Sequence, residues 1–147
     1  MLPNVNIEFD NGTIGAVSPN TDGVFGVLAS AVATANFSLG KSYTVKSMVD
    51  VAKLDIIDTI DNHRLYKFLS EYFAEGGEQK ELWILGFAKD QSLASWFTPD
   101  AGSGIAPAQK ILNASKGRIK GLFTCYDGPV AATPKPYNII SFLNFLK

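Results

Sequence analysis

The sequence predicts an α/β fold, a mixed sheet flanked by helices in a single compact domain, with an α+β arrangement as the open alternative. Three observations predict it. Two apolar runs, Val24-Phe-Gly-Val-Leu-Ala-Ser-Ala-Val32 and Leu82-Trp-Ile-Leu85, read as strands covered on both faces. Between them Leu65, Phe68, Leu69, Tyr72 and Phe73 recur at helical spacing and mark an amphipathic helix that must lie on a core. A chain of 147 residues, 46% hydrophobic and 18% charged, suffices for one core and is short for two.

In chain order, Val5, Ile7 and Phe9 alternate with Asn6, Glu8 and Asp10, the pattern of a half-buried strand, and Asn11-Gly12 turns it. The small, turn-prone residues of 13–22 form a loop. Within 23–37 periodicity leaves strand and buried helix both open, and the β-branched and aromatic residues Val24, Phe25 and Val27 favour a strand. Tyr43-Thr-Val45 is a short strand, and Ser47 can cap a helix carrying Met48, Val49, Val51, Ala52 and Leu54. The main helix spans 62–75, with Asp61 as cap and Gly76-Gly77 as terminator. Leu82–Leu85 with Gly86-Phe87 is the central strand.

A helical turn over 92–97 stops at Pro99, and a helix over 106–114 tolerates Pro107 in its first turn and precedes Gly117. Ile119-Lys-Gly-Leu-Phe-Thr-Cys125 is the next strand. The predicted domain is therefore 1–126. Residues 127–147 form a proline-containing linker and a C-terminal apolar helix whose Phe142, Phe145 and Leu146 need a partner surface. Strand order and strand direction carry no local signature in these short runs and stay open.

Charge and composition exclude several function classes. Thirteen basic and 14 acidic residues give a net charge of −1, so no broad positive field attracts nucleic acid or an anionic membrane. The start lacks a basic, then apolar, signal segment, and no apolar run reaches the ~20 residues that span a bilayer. A single cysteine, Cys125, builds neither an internal disulfide nor a multi-cysteine metal site and suits a reducing compartment, the cytoplasm.

Candidate reactive residues are few. His63, the only histidine, sits on the side of the main helix away from its apolar stripe, and Cys125 falls in a buried strand where a thiol packs as a small hydrophobe. A Cys125/His63 dyad is therefore disfavoured. Asp50, Asp55, Asp58 and Asp61 cluster in sequence without calcium-loop spacing, and Gly102-Ser-Gly104 lacks the third glycine and preceding strand of a dinucleotide fingerprint. Trp83, Trp96, Phe87, Phe123 and Tyr126 are not interleaved with basic residues and read as core. The sequence thus names no catalytic residue, metal site or cofactor. Its interaction candidates are Val5, Ile7 and Phe9 at one end and Phe142, Phe145 and Leu146 at the other.

Four landmarks in order resemble the N-terminal part of contractile tail sheath proteins of phages and prophages. They are Leu2-Pro-Asn-Val-Asn-Ile7; Gly23-Val-Phe-Gly-Val-Leu-Ala-Ser30; Tyr43-Thr-Val-Lys-Ser-Met-Val-Asp50; and Asn62-His-Arg-Leu-Tyr-Lys-Phe-Leu-Ser-Glu-Tyr-Phe-Ala-Glu-Gly-Gly77 leading into Glu81-Leu-Trp-Ile-Leu-Gly86. The likeness covers about residues 1–124. It implies a structural subunit that stacks on copies of itself around a tail tube protein, with no active site or cofactor, made in the bacterial cytoplasm and ending in a phage or phage-like tail particle. It also implies terminal arms that add strands to neighbouring subunits, with Val5–Phe9 as a candidate arm. The chain is shorter than such subunits. The alternative is a small α/β ligand-binding domain or enzyme, with its site at strand carboxyl ends near 86–90 and 125–128.

Overall fold

The computed structural model describes residues 24–76 and 80–129. The segments holding Val5, Ile7 and Phe9, and Phe142, Phe145 and Leu146, lie outside the described residues. Four strands and four helices follow one another as β1 (Phe25–Ala31), β2 (Ser42–Val45), α1 (Met48–Lys53), α2 (His63–Gly76), β3 (Leu82–Ala88), α3 (Leu93–Phe97), α4 (Gln109–Ala114) and β4 (Gly121–Cys125). The fold is α/β: one mixed sheet, order β2-β3-β1-β4, lies between two helical layers.

β1 is parallel to both β3 and β4, pairing Phe25 with Leu82 on one side and with Gly121 on the other, whereas β2 runs antiparallel to β3. Its position between two parallel neighbours explains its composition, because a strand covered on both faces has no polar face to present. Val27, Ala29 and Ala31 enter the layer with α1 and α2, while Leu28 enters the layer with α3 and α4. The connection from β1 to β3 crosses the sheet one way and that from β3 to β4 crosses it the other way. Crossovers of the same hand running in opposite directions place their helices on opposite faces, which is the layering seen.

α2 buries Leu65, Leu69 and Phe73 against Val27, Ile84 and Leu82. On the other face Trp96 of α3 stacks on Phe87, with ring centroids 4.4 Å apart, and Ile111 of α4 packs beside Leu28. Gly86 in β3 is required by close packing, since a Cβ there would meet the buried Phe37 ring at 2.6 Å. Ser47 caps α1 as expected, its hydroxyl accepting from the Asp50 amide.

Three local expectations are corrected. The helix placed at 106–114 begins at Gln109, and 107–108 form a turn, with Ala108 at the cap position making no side-chain hydrogen bond. Asp61 does not cap α2: the residue before the helix is Asn62, whose side chain is committed elsewhere. The last predicted strand begins at Gly121, two residues later than its apolar start at Ile119.

Candidate functional site

The connections set the site. β1 and β3 are neighbours whose onward connections leave to opposite faces of the sheet, so the chain diverges at their carboxyl ends, the usual ligand position in open α/β sheets. Beside that point a crevice is floored by the start of α2 and walled by Asp127, which lies just past the end of β4. Asn62 anchors it: its side chain accepts from the Val32 amide at 2.9 Å and donates to the Val32 carbonyl at 3.1 Å, tying the end of β1 to the start of α2.

Around that anchor polar and charged side chains pair. His63 Nδ1 lies 2.5 Å from the Asp58 carboxylate. Asp127 lies between Lys89, at 3.1 Å, and Arg64, at 3.6 Å, so one carboxylate links the ends of β3 and β4 to α2. Lys89 Nζ also donates to the Ile60 carbonyl at 3.5 Å. The crevice encloses ≈600 Å³ and is bordered by Asp58, Ile60, His63, Arg64, Lys67 and Asp127. The two Asp127 ion pairs are substantially exposed, and such pairs contribute roughly 0–1 kcal/mol each.

A second depression of ≈300 Å³ on the same side reaches Cys125. Burial is the main cause that pushes the Cys125 thiol above its ordinary pKa, and its sulfur donates to the Arg64 carbonyl at 3.5 Å. The residue therefore stands as a neutral thiol. His63 is engaged with Asp58 and Cys125 with Arg64, so the structure does not assemble them into a nucleophile and base.

The other sequence candidates disperse. Asp50 pairs with Lys53 and Asp55 accepts from Asn36, and no group of three metal-binding side chains converges among the described residues. Gly102 and Ser103 donate to Asp100 in a loop between α3 and α4, away from any strand end. Of the aromatics, Phe87 and Trp96 are core and Phe123 is partly open. Lys89 and Asp127, within the two stretches expected at strand carboxyl ends, do meet. Arg64 and Asn62 were not anticipated; the available signal was a polar residue directly before a strongly amphipathic helix.

Sheet order and helical layers together define a class, a three-layer α/β domain with a topological switch point between β1 and β3. A family model, the N-terminal domain of DUF2586, matches residues 2–135. The chain belongs to that family. No curated protein and no solved structure matches it. Among the described residues no helix is long and apolar enough to cross a membrane.

Proposed function

We propose that this domain is a structural subunit, or part of one, of the contractile tail sheath type, working by self-assembly and without turnover. The observation that carries the reading is apolar surface on one connection: Ile60 is 92% exposed, Ile57 56% and Val49, on α1, 64%. Three large aliphatic side chains left this open within residues 49–60 support a contact surface. The sheath-like landmarks support the same reading, because those within the described residues fall on the scaffold itself, on β1, on the step from β2 to α1, and on α2 leading into β3. On this reading its partners are further copies of the chain and a tail tube protein, in a tail particle built in the cytoplasm of the producing bacterium.

Light scattering across a concentration series, with negative-stain microscopy of the same samples, tests it. Concentration-dependent oligomers, rings or tubes are expected, and a monodisperse monomer at every concentration overturns self-association through this surface. A second reading, a small ligand-binding domain, draws on the crevice between Asp58 and Asp127. It expects a monomer whose His63 and Arg64 resonances shift on adding a small anionic ligand.

A further inference from the structure

The crevice beside α2 is more positive than the chain as a whole. Arg64 and Lys67 stand three residues apart on α2 and so share one face at its border. Lys89, just past β3, brings a third cation from the sheet. Its ammonium reaches the Ile60 carbonyl and the Asp127 carboxylate, and both of those residues belong to the border. Against these three cations stand two carboxylates, Asp58 and Asp127, so the group sums to +1 with His63 neutral, in a chain whose net charge is −1. Asp58 is engaged by His63, and Lys67 meets Glu71 only at 3.9 Å. A concave site with an excess of one charge focuses its field and gathers counter-ions.

Asp127 shows what fits between those cations. One of its carboxylate oxygens faces the Arg64 guanidinium at 3.6 Å and the other faces the Lys89 ammonium at 3.1 Å, so a single oxyanion group spans the two. The Asp127 side chain is 42% exposed, which leaves the position within reach of a solute. Exposed pairs of this kind are weak, so displacing the carboxylate costs little. The ≈600 Å³ of the crevice falls within the range of about 300–1,000 Å³ that holds small molecules.

We propose that this crevice binds a phosphate group, free or carried by a small molecule, through Arg64, Lys67 and Lys89, and that Asp127 is a built-in competitor for the same position. The proposal rests on the ligand-binding reading of the crevice and adds the chemistry of the ligand and the group that controls its entry. Charge selects phosphate over carboxylate. A free carboxylate offers Arg64 and Lys89 only what Asp127 already supplies, and Asp127 acts from within the chain, at an effective concentration on the order of millimolar. A phosphate ester carries about −1.5 to −2 at neutral pH and three acceptor oxygens. That is enough to engage the guanidinium fork and both ammonium groups.

NMR titration of the full chain at constant ionic strength tests it, with inorganic phosphate, glycerol 3-phosphate and acetate as probes. Saturable shifts centred on Arg64, Lys67 and Lys89 are expected with both phosphates and none with acetate. Tighter binding of glycerol 3-phosphate supports a phosphorylated small molecule as the ligand, and equal affinity supports free phosphate. Asp127→Asn keeps the side-chain shape and removes its charge, and it is expected to tighten phosphate binding about fivefold or more, the worth of one charge about 4 Å away in water. Arg64→Gln with Lys89→Gln is expected to abolish saturation. Acetate binding as well as phosphate, or phosphate binding that is unchanged or weaker in Asp127→Asn, overturns the proposal while the ligand-binding reading stands. Shifts that stay linear for every probe, in the parent and in Asp127→Asn alike, overturn both.

Discussion

Asn62 and Ser30 show opposite sides of polar burial. Asn62 is 4% exposed and satisfies both backbone groups of Val32, so Asn62→Ala removes two hydrogen bonds at the junction of β1 and α2. A loss of about 1–3 kcal/mol is expected in urea unfolding. The Ser30 hydroxyl is equally buried and has no hydrogen-bond partner among the described residues. Ser30→Ala removes an unmatched group and is expected to leave stability within about 0.5 kcal/mol or raise it, since a buried hydroxyl without a partner costs desolvation. Cys125 gives a pH dependence. Its folded pKa is raised, by burial first, so its contribution is complete below the pKa of the unfolded thiol and is lost as pH rises through the folded value. Unfolding midpoints measured from neutral to alkaline pH should fall there, less so in Cys125→Ala. A thiol reagent at neutral pH should label the native protein far more slowly than the unfolded one.

Among the elements, α2 carries the energetics that its sequence pattern announced. Leu69 is fully buried between the helix and the sheet, and Leu69→Ala is expected to cost about 2–5 kcal/mol. Lys67, on the outer face and 3.9 Å from Glu71, should cost no more than about 0.5 kcal/mol on conversion to alanine. Equilibrium unfolding of both variants checks the contrast. β1, α2 and β3 were legible because a stripe at helical spacing, or an apolar run bounded by polar residues, is a local signal that burial then rewards. The start of α4 was not legible. Pro107 suits a first helical turn and a plain turn equally, and no side-chain cap at Ala108 marks where the helix starts. The crevice was half legible: the stretches 86–90 and 125–128, expected at strand carboxyl ends, hold Lys89 and Asp127, while the contributions of Arg64 and Asn62 depend on how α2 docks.

For the whole molecule, the order β2-β3-β1-β4 had no signature in the sequence, because parallel pairing depends on crossovers and not on neighbouring residues. The surface is more directly testable. Ile57→Ser with Ile60→Ser should leave unfolding free energy within roughly 0.5 kcal/mol, as both side chains already face solvent. On the proposed self-assembly reading, the same double variant should weaken association roughly tenfold or more, since burying even one such side chain is worth about 1.5–3 kcal/mol. Light scattering of the variant beside the parent measures it.

The central place of β1 also sets when the sheet can close as the protein is made. It is the first strand in the described chain, yet it gains one neighbour only when Leu82 arrives and the other only when Gly121 does. Both closures span many tens of residues, the kind of long-range pairing that slows folding to milliseconds or longer. On the ribosome, at about 5–20 residues per second, β1 waits seconds for its first partner, so an apolar segment is open to chaperones or to aggregation throughout that interval. Stopped-flow refolding of the full chain should show a main phase in the millisecond-to-second range.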